Sequence, residues 1–313
     1  MNLASLCLHM DDLAIRVAED AEYATRAGFR IGEVTLTELL LLDLARFVQA
    51  GPPGTALDII PTGHADEKLQ GTDFELWLQT AKATASAPAQ FLGYSIQAKK
   101  AYEPRGHGGF DYKMLGHTVK LDNGTDEYQY DVLLQYSKAK NTMAFHLFYH
   151  RMTAVTSSTF QPGRPGLYGC AVIPTPLMKA IRDPHSTNRV DSYARYERPW
   201  SSLFQFPQGH GVVGGPPSTG GHGPGTAQGG GPGAPSAPGG QLPEVCTDNV
   251  SAGAGYEPRA QPLPSDVREA RIAFHEHRTD SDRPIPHPAG RLNQPYSPGY
   301  FVVIGDPQDL TDR

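Results

Sequence analysis

A chain of 313 residues holds one large domain or two modest ones, but 34 Gly and 28 Pro beside only 39% hydrophobic residues leave part of it unable to build a core. The net charge of −6 argues against a protein that coats nucleic acid through bulk positive charge, though not against a local basic groove. Cys7, Cys170 and Cys246 form no CxxC pair or disulfide framework, Asp11 and Asp12 interrupt the apolar N-terminal stretch, and no run of 18 apolar residues occurs. The expectation is a cytoplasmic protein with neither signal peptide nor membrane span.

Leu6, Met10, Leu13, Val17 and Ala21 recur at helical spacing and predict an amphipathic helix over residues 3–27, broken by Gly28 and Gly32. A leucine-dense second helix is expected over 35–50, opened by the capping-box pattern Thr35-Leu-Thr-Glu38 and ended by Gly51-Pro52-Pro53-Gly54. Strand-like segments follow at 56–60, 73–78 and 91–99, then a helix at 128–139 and an aromatic strand at 143–149. Helix, three strands, helix, strand suits a mixed sheet with helices on its faces. Residues 164–206 read as a partly helical extension. The stretch 207–243, dominated by Gly and Pro, predicts a disordered linker, and the tail 244–313 offers one helix (265–277) and one apolar strand (300–304).

Residues two apart in a strand point the same way, so Asp73 and Glu75 share a face, as do Ser95, Gln97 and Lys99 on the next strand. Two adjacent strands thus carry polar triplets able to meet on one side of a sheet. Phosphodiester hydrolysis needs a hard divalent cation, an activated water and a positive charge near the phosphate. Asp73 offers a carboxylate oxygen, Gln97 a carbonyl oxygen, and Lys99 the positive charge. A carboxylate from the preceding helix, Glu33 or Glu38, would hold metal waters or Lys99, and Glu75 is a secondary candidate.

This pattern, a helix Glu, then Asp73, then Gln97-Ala98-Lys99, resembles the PD-(D/E)xK nuclease superfamily, in the Mrr-like form where Gln replaces the usual acid. More narrowly, Gly71-Thr72-Asp73-Phe74-Glu75-Leu76-Trp77 followed by Gly93-Tyr94-Ser95-Ile96-Gln97-Ala98-Lys99 is similar to an uncharacterised bacterial domain family with GADxEWW-like and GxxxQAK strands. The resemblance implies an α/β restriction-endonuclease-like core over 33–150, with a helix, three-strand meander, helix and strand, inside a nuclease domain of residues 1–206. It implies a Mg²⁺- or Mn²⁺-dependent endonuclease acting on DNA in bacterial defence or repair. Double-strand cleavage would favour a homodimer. Gln97 departs from the acidic pattern and leaves open a catalytically inactive module that binds nucleic acid or a protein partner.

The segment 99–120 is rich in Lys, Arg, His and Gly and reads as a flexible basic loop, with Lys100, Arg105, Lys113 and Lys120 as candidate phosphate contacts. Lys138 and Lys140 extend that surface or complement a helix dipole. His275-Glu276-His277 reads as a polar helix end, because histidines two apart lie on different helix faces.

Overall fold

The computed structural model describes residues 3–50, 56–61, 71–103, 109–121, 124–157, 165–184, 187–204, 259–278 and 299–305. The segment expected to be a linker, residues 207–243, lies outside them, as do Arg105 and Cys246.

Helix α1 (Leu3–Arg26) buries the stripe that its periodicity predicts: Leu6, Met10, Leu13, Val17 and Ala21. Helix α2 (Glu33–Ala50) buries Leu36, Leu40, Leu41 and Leu44. It starts two residues earlier than the capping-box pattern suggests. Gly32 accepts the first helical bond, from Leu36 N–H at 3.2 Å, so Thr35 lies inside the first turn and is not the cap.

Five strands stand where alternation or an apolar run places them: β1 (Ala56–Pro61), β2 (Phe74–Ala81), β3 (Gln90–Tyr102), β7 (Met143–Tyr149) and β10 (Tyr300–Gly305). The segment read as a flexible basic loop contains two short strands, β4 (Asp111–Tyr112), paired with β3, and β5 (Thr118–Lys120), paired with β6 (Asp126–Tyr128). Helix α3 (Gln129–Lys140) carries the chain from β3 to β7, which are parallel. Beyond it come α4 (Met152–Ser157), β8 (Cys170–Pro174), α5 (Thr175–Arg182), α6 (Val190–Tyr193), β9 (Arg198–Pro199) and finally α7 (Ser265–Arg278).

The main sheet is mixed, with order β1-β10-β2-β3-β7-β8-β9. The expected meander of β1, β2 and β3 is therefore not formed by consecutive neighbours. The C-terminal strand β10 runs antiparallel to β1 and parallel to β2, and separates them. Its Phe301, Val302, Val303 and Ile304 are all buried. Each such side chain contributes about 1.5–3 kcal/mol through removal from water, so β10 is part of the core.

Both sheet faces are covered, so the polar triplets of β2 and β3 lie in large part in the interior. Phe74, Leu76, Tyr94, Ile96, Ala98, Phe145, Leu147 and Val302 pack under α1 and α2. The opposite face carries two apolar clusters. One is built on β2 and β10 with α7 (Trp77, Phe301, Val303, Val267), the other on β7 and β8 with α5 and α6 (Phe148, Ala171, Ile173, Met178, Tyr193). Strand β3 lies between β2 and β7, and its Ser95, Gln97 and Lys99 fall on this second face, all buried.

Candidate active site

The chain enters β2 through Gly71, whose φ of +65° suits glycine and whose added Cβ would stand 2.6 Å from the Gln129 carbonyl at the start of α3. This close approach seats Thr72, fully buried, and then Asp73. Asp73 N–H donates to Ile96 O at 2.9 Å, and Asp73 Oδ2 accepts from Ala98 N–H at 2.5 Å. One residue before the Phe74–Ile96 pair, Asp73 thus continues the antiparallel register opposite Gln97. Its carboxylate is held at the backbone between Gln97 and Lys99.

Lys99 has a side chain only 6% exposed, and its Nζ lies 3.6 Å from Glu33 Oε1. Glu33 also accepts from the Lys100 backbone N–H. Burial raises the Glu33 carboxyl above its ordinary range; Lys99 pulls the other way and the Asp73 charge adds to the rise. Lys100 Nζ donates to Ile31 O at 2.5 Å, so the entry to α2 is stitched to the end of β3 at two points. Glu33, Asp73, Gln97 and Lys99 therefore gather at one corner, where α2, β2 and β3 meet.

The two helix glutamates separate clearly. Glu38 is exposed and accepts from Tyr300 OH at 3.2 Å, with no bond to Lys99 of the kind Glu33 makes. Glu75, the secondary candidate, is fully buried in a different network. It accepts from Trp77 Nε1 at 2.9 Å and from Tyr136 OH, and lies 3.3 Å from Lys140 Nζ. Lys140 also pairs with Asp266 of α7. Burial acts to lower the Lys140 pKa, but Glu75 and Asp266 outweigh it and the net shift is upward. Lys140 thus neither extends a basic surface nor merely complements a helix dipole. Gly93 packs beneath Trp77, whose ring would stand 2.6 Å from an added Cβ, which explains a glycine at that place in the strand.

Among the candidate phosphate contacts, Lys100 is tied to Ile31, while Lys113 and Lys120 are exposed. His275 Nε2 lies 3.0 Å from Asp58 Oδ2, which Arg271 Nε also contacts at 2.6 Å, so one histidine of the polar helix end joins α7 to β1.

The sequence reading missed His146. It stands directly opposite Gln97 on β7 and is fully buried, with Nδ1 2.9 Å from Thr175 Oγ1. Burial, aided by Lys99, pushes its imidazole down to about 3. Both Gln97 Nε2 and His146 Nε2 are buried without a hydrogen-bond partner among the described residues.

A second buried polar group lies beyond β7. His150 Nδ1 bonds Tyr168 O at 2.5 Å, His150 Nε2 contacts Tyr112 OH at 2.5 Å, and Tyr112 OH contacts Glu197 Oε1 at 2.5 Å. A carbonyl only accepts, so Nδ1 carries the proton. The Tyr112 hydroxyl donates to the Glu197 carboxyl. Burial raises that carboxyl to about 8, against a smaller lowering by the Tyr112 bond.

Among the described residues no group of three or more His, Cys, Asp or Glu side chains is placed to hold a metal ion. Their helices include none long and apolar enough to cross a membrane. The structure thus defines an α/β protein whose mixed sheet carries a largely buried Glu–Asp–Gln–Lys corner. Over residues 6–285 the chain matches the family of unknown function DUF6615, and it belongs to that family. No curated protein and no solved structure matches it.

Proposed function

We propose that this protein hydrolyses phosphodiester bonds in DNA with Mg²⁺ or Mn²⁺ as cofactor, on a restriction-endonuclease-like core of α2, β1, β2, β3, α3 and β7 into which β10 is inserted. The observation that carries this reading is the bond from Ala98 N–H to Asp73 Oδ2, which sets a carboxylate beside Gln97 and Lys99. Helix, strand and strand supply Glu33, Asp73 and the Gln97–Lys99 pair in the order that the motif resemblance implies.

The donors fit a hard cation of modest demands. One carboxylate and one carboxamide are oxygen ligands, and Mg²⁺ commonly keeps several waters and uses one or two protein oxygens beside substrate phosphate. Asp73 and Gln97 would hold it. When bound, the ion lowers the pKa of a water and polarises the phosphoryl group. Lys99 neutralises charge developing on the phosphate and orients the attacking water, while ionised Glu33 holds the ammonium in place. Asp73 and Glu33 are the partly exposed members of the corner, so substrate approaches from their side.

One observation favours a second reading. Gln97 is 1% and Lys99 4% exposed, a closed arrangement that suits an inactive fold which binds nucleic acid or a protein. Incubating the protein and its Lys99→Ala variant with plasmid and single-stranded DNA, with Mg²⁺, Mn²⁺ or EDTA, separates the two. The nuclease reading expects metal-dependent cleavage that EDTA abolishes and Lys99→Ala reduces by about 10²–10³-fold. DNA binding without cleavage under either metal supports the binding module. Cleavage at full rate by Lys99→Ala removes this corner from the chemistry.

A further inference from the structure

Gln97 sits between two neighbours in the sheet: Asp73 at the β2 side and His146 directly opposite on β7. Strands β3 and β7 are parallel neighbours, about 4.7–4.9 Å apart as adjacent strands are, and these paired residues lie on the same face. Here both side chains are buried, and each has a nitrogen, Nε2, that no described residue satisfies. A buried polar group left unpaired is rare and costly. Two of them at facing positions on adjacent strands call for one common explanation.

We infer that His146 orients Gln97: His146 Nε2 accepts an N–H from the Gln97 amide, which turns the Gln97 carbonyl oxygen toward Asp73. The groups are complementary in chemistry. The imidazole is neutral, since a protonated ring at this depth would be a buried charge beside the Lys99 ammonium. In the tautomer inferred here, Nδ1–H donates to Thr175 Oγ1, 2.9 Å away, which leaves Nε2 a bare acceptor, and the amide has two N–H donors. A hydrogen bond between the amide and the ring would satisfy both nitrogens together. Amide nitrogen and oxygen point apart, so a nitrogen held on the β7 side places the oxygen on the β2 side, where Asp73 lies.

The pair also gives a physical reason for Gln at this position. A carboxylate at 97 would present an acceptor to the bare Nε2 of His146, two lone pairs facing each other without a proton between them. A carboxamide presents a donor to the ring and still offers an oxygen on its other side. His146 is thus a positioning residue for Gln97. Its consequence for metal binding rests on the nuclease reading above; the pair itself does not.

The test is nitrogen NMR on the full chain labelled with ¹⁵N-histidine. The chain has 12 histidines, and His146 is assigned as the signal lost in His146→Phe or, if that variant fails to fold, in His146→Gln. The inference expects Nδ1 protonated and Nε2 bare but hydrogen-bonded. Gln97→Met should move the Nε2 resonance toward that of an unbonded imidazole nitrogen and leave Nδ1 in place. An Nε2–H tautomer, or an Nε2 signal indifferent to Gln97→Met, overturns the inference. Mn²⁺ affinity, read by electron paramagnetic resonance, should fall about tenfold in His146→Phe with an unchanged circular dichroism spectrum. Unchanged affinity there overturns the positioning role. The expected tautomer in a wild-type protein that binds no Mn²⁺ supports the pair and counts against the metal reading instead.

Discussion

Glu33 opens a helix and Lys99 lies near the end of a 13-residue strand, yet their charged groups meet at 3.6 Å. The contact makes the state of the lysine depend on a carboxyl whose own ionisation burial disfavours. Because the Glu33 pKa is raised, protonation on acidification breaks the pair at a pH above the ordinary glutamate range. If the proposed chemistry uses Lys99, wild-type DNA cleavage should fall along an acid limb above pH 4.5, the group's ordinary value. Glu33→Gln should lower the plateau rate and remove that limb; initial rates across pH 4.5–8 check both.

Among the described residues, Lys140 is the one cation paired with the buried Glu75 carboxylate, and it ties α3 to α7 through Asp266. Replacing it with Met leaves Glu75 buried and uncompensated, a loss of about 3 kcal/mol. Adding Glu75→Gln should recover a large part of this, because the orphaned charge is gone. Urea midpoints of the two single variants and the double variant give the coupling directly.

Three buried groups with large shifts contribute to the pH dependence of stability. The folded His146 and His150 have pKa values near 3 and 4, below the free value of 6.5, so their contribution is complete above 6.5 and is lost as pH falls toward those values. The folded Glu197 carboxyl sits near 8, above its free value of 4.5, so its penalty grows as pH rises from 4.5 and levels off beyond 8. Two histidines outweigh one carboxyl below 6.5 and the carboxyl acts alone above it. Stability should therefore peak near neutrality and decline on both sides, as urea midpoints between pH 4.5 and 8.5 will report. Glu197→Gln should flatten the alkaline side only.

Gly71 combines a positive φ with an approach that leaves no room for a Cβ. Gly71→Ala should cost about 1–3 kcal/mol in strain and push the chain away from α3, carrying Asp73 with it. Thermal unfolding measures the first effect. Under the nuclease reading, a drop in cleavage larger than the change in folded fraction measures the second.

A chain ending at Phe204 lacks β10 and exposes the flanks of β1 and β2. It should show no cooperative urea transition, whereas Val302→Ala in the full chain should unfold cooperatively with a loss of about 0.5–1.5 kcal/mol for each methylene-sized group removed. Cooperative folding by the shorter chain would contradict the central place of β10.

Much of the element order was legible because β2 and β3 alternate and α1 and α2 repeat at helical spacing. Strand β8, Cys170–Pro174, was not, since four successive residues buried on both faces, Cys170 to Ile173, show no alternation to read. Nor was the insertion of β10. Its pairing with β2 joins Tyr300 to Phe74, and nothing local in either segment specifies a neighbour at that distance along the chain. At the candidate corner, Asp73, Gln97 and Lys99 were named from their pattern, but the choice between Glu33 and Glu38 hung on where α2 begins. The Thr35–Glu38 pattern imitates a cap that Gly32 provides instead. His146 escaped notice because a parallel partner strand is set by an intervening helix, and the sequence of Met143–Tyr149 shows which residues share a face but not which strand they adjoin.

The late arrival of β10 bears on how the protein is made. On the ribosome, β1 and β2 emerge long before the strand that joins them, so each presents an unpaired backbone edge to the cell while most of the remaining chain is synthesised. The seam runs along β2, the strand entered from Asp73. Until residues 300–305 dock, the carboxylate corner rests on a sheet still in two pieces, and the proposed enzyme would come into being only as β10 zips home.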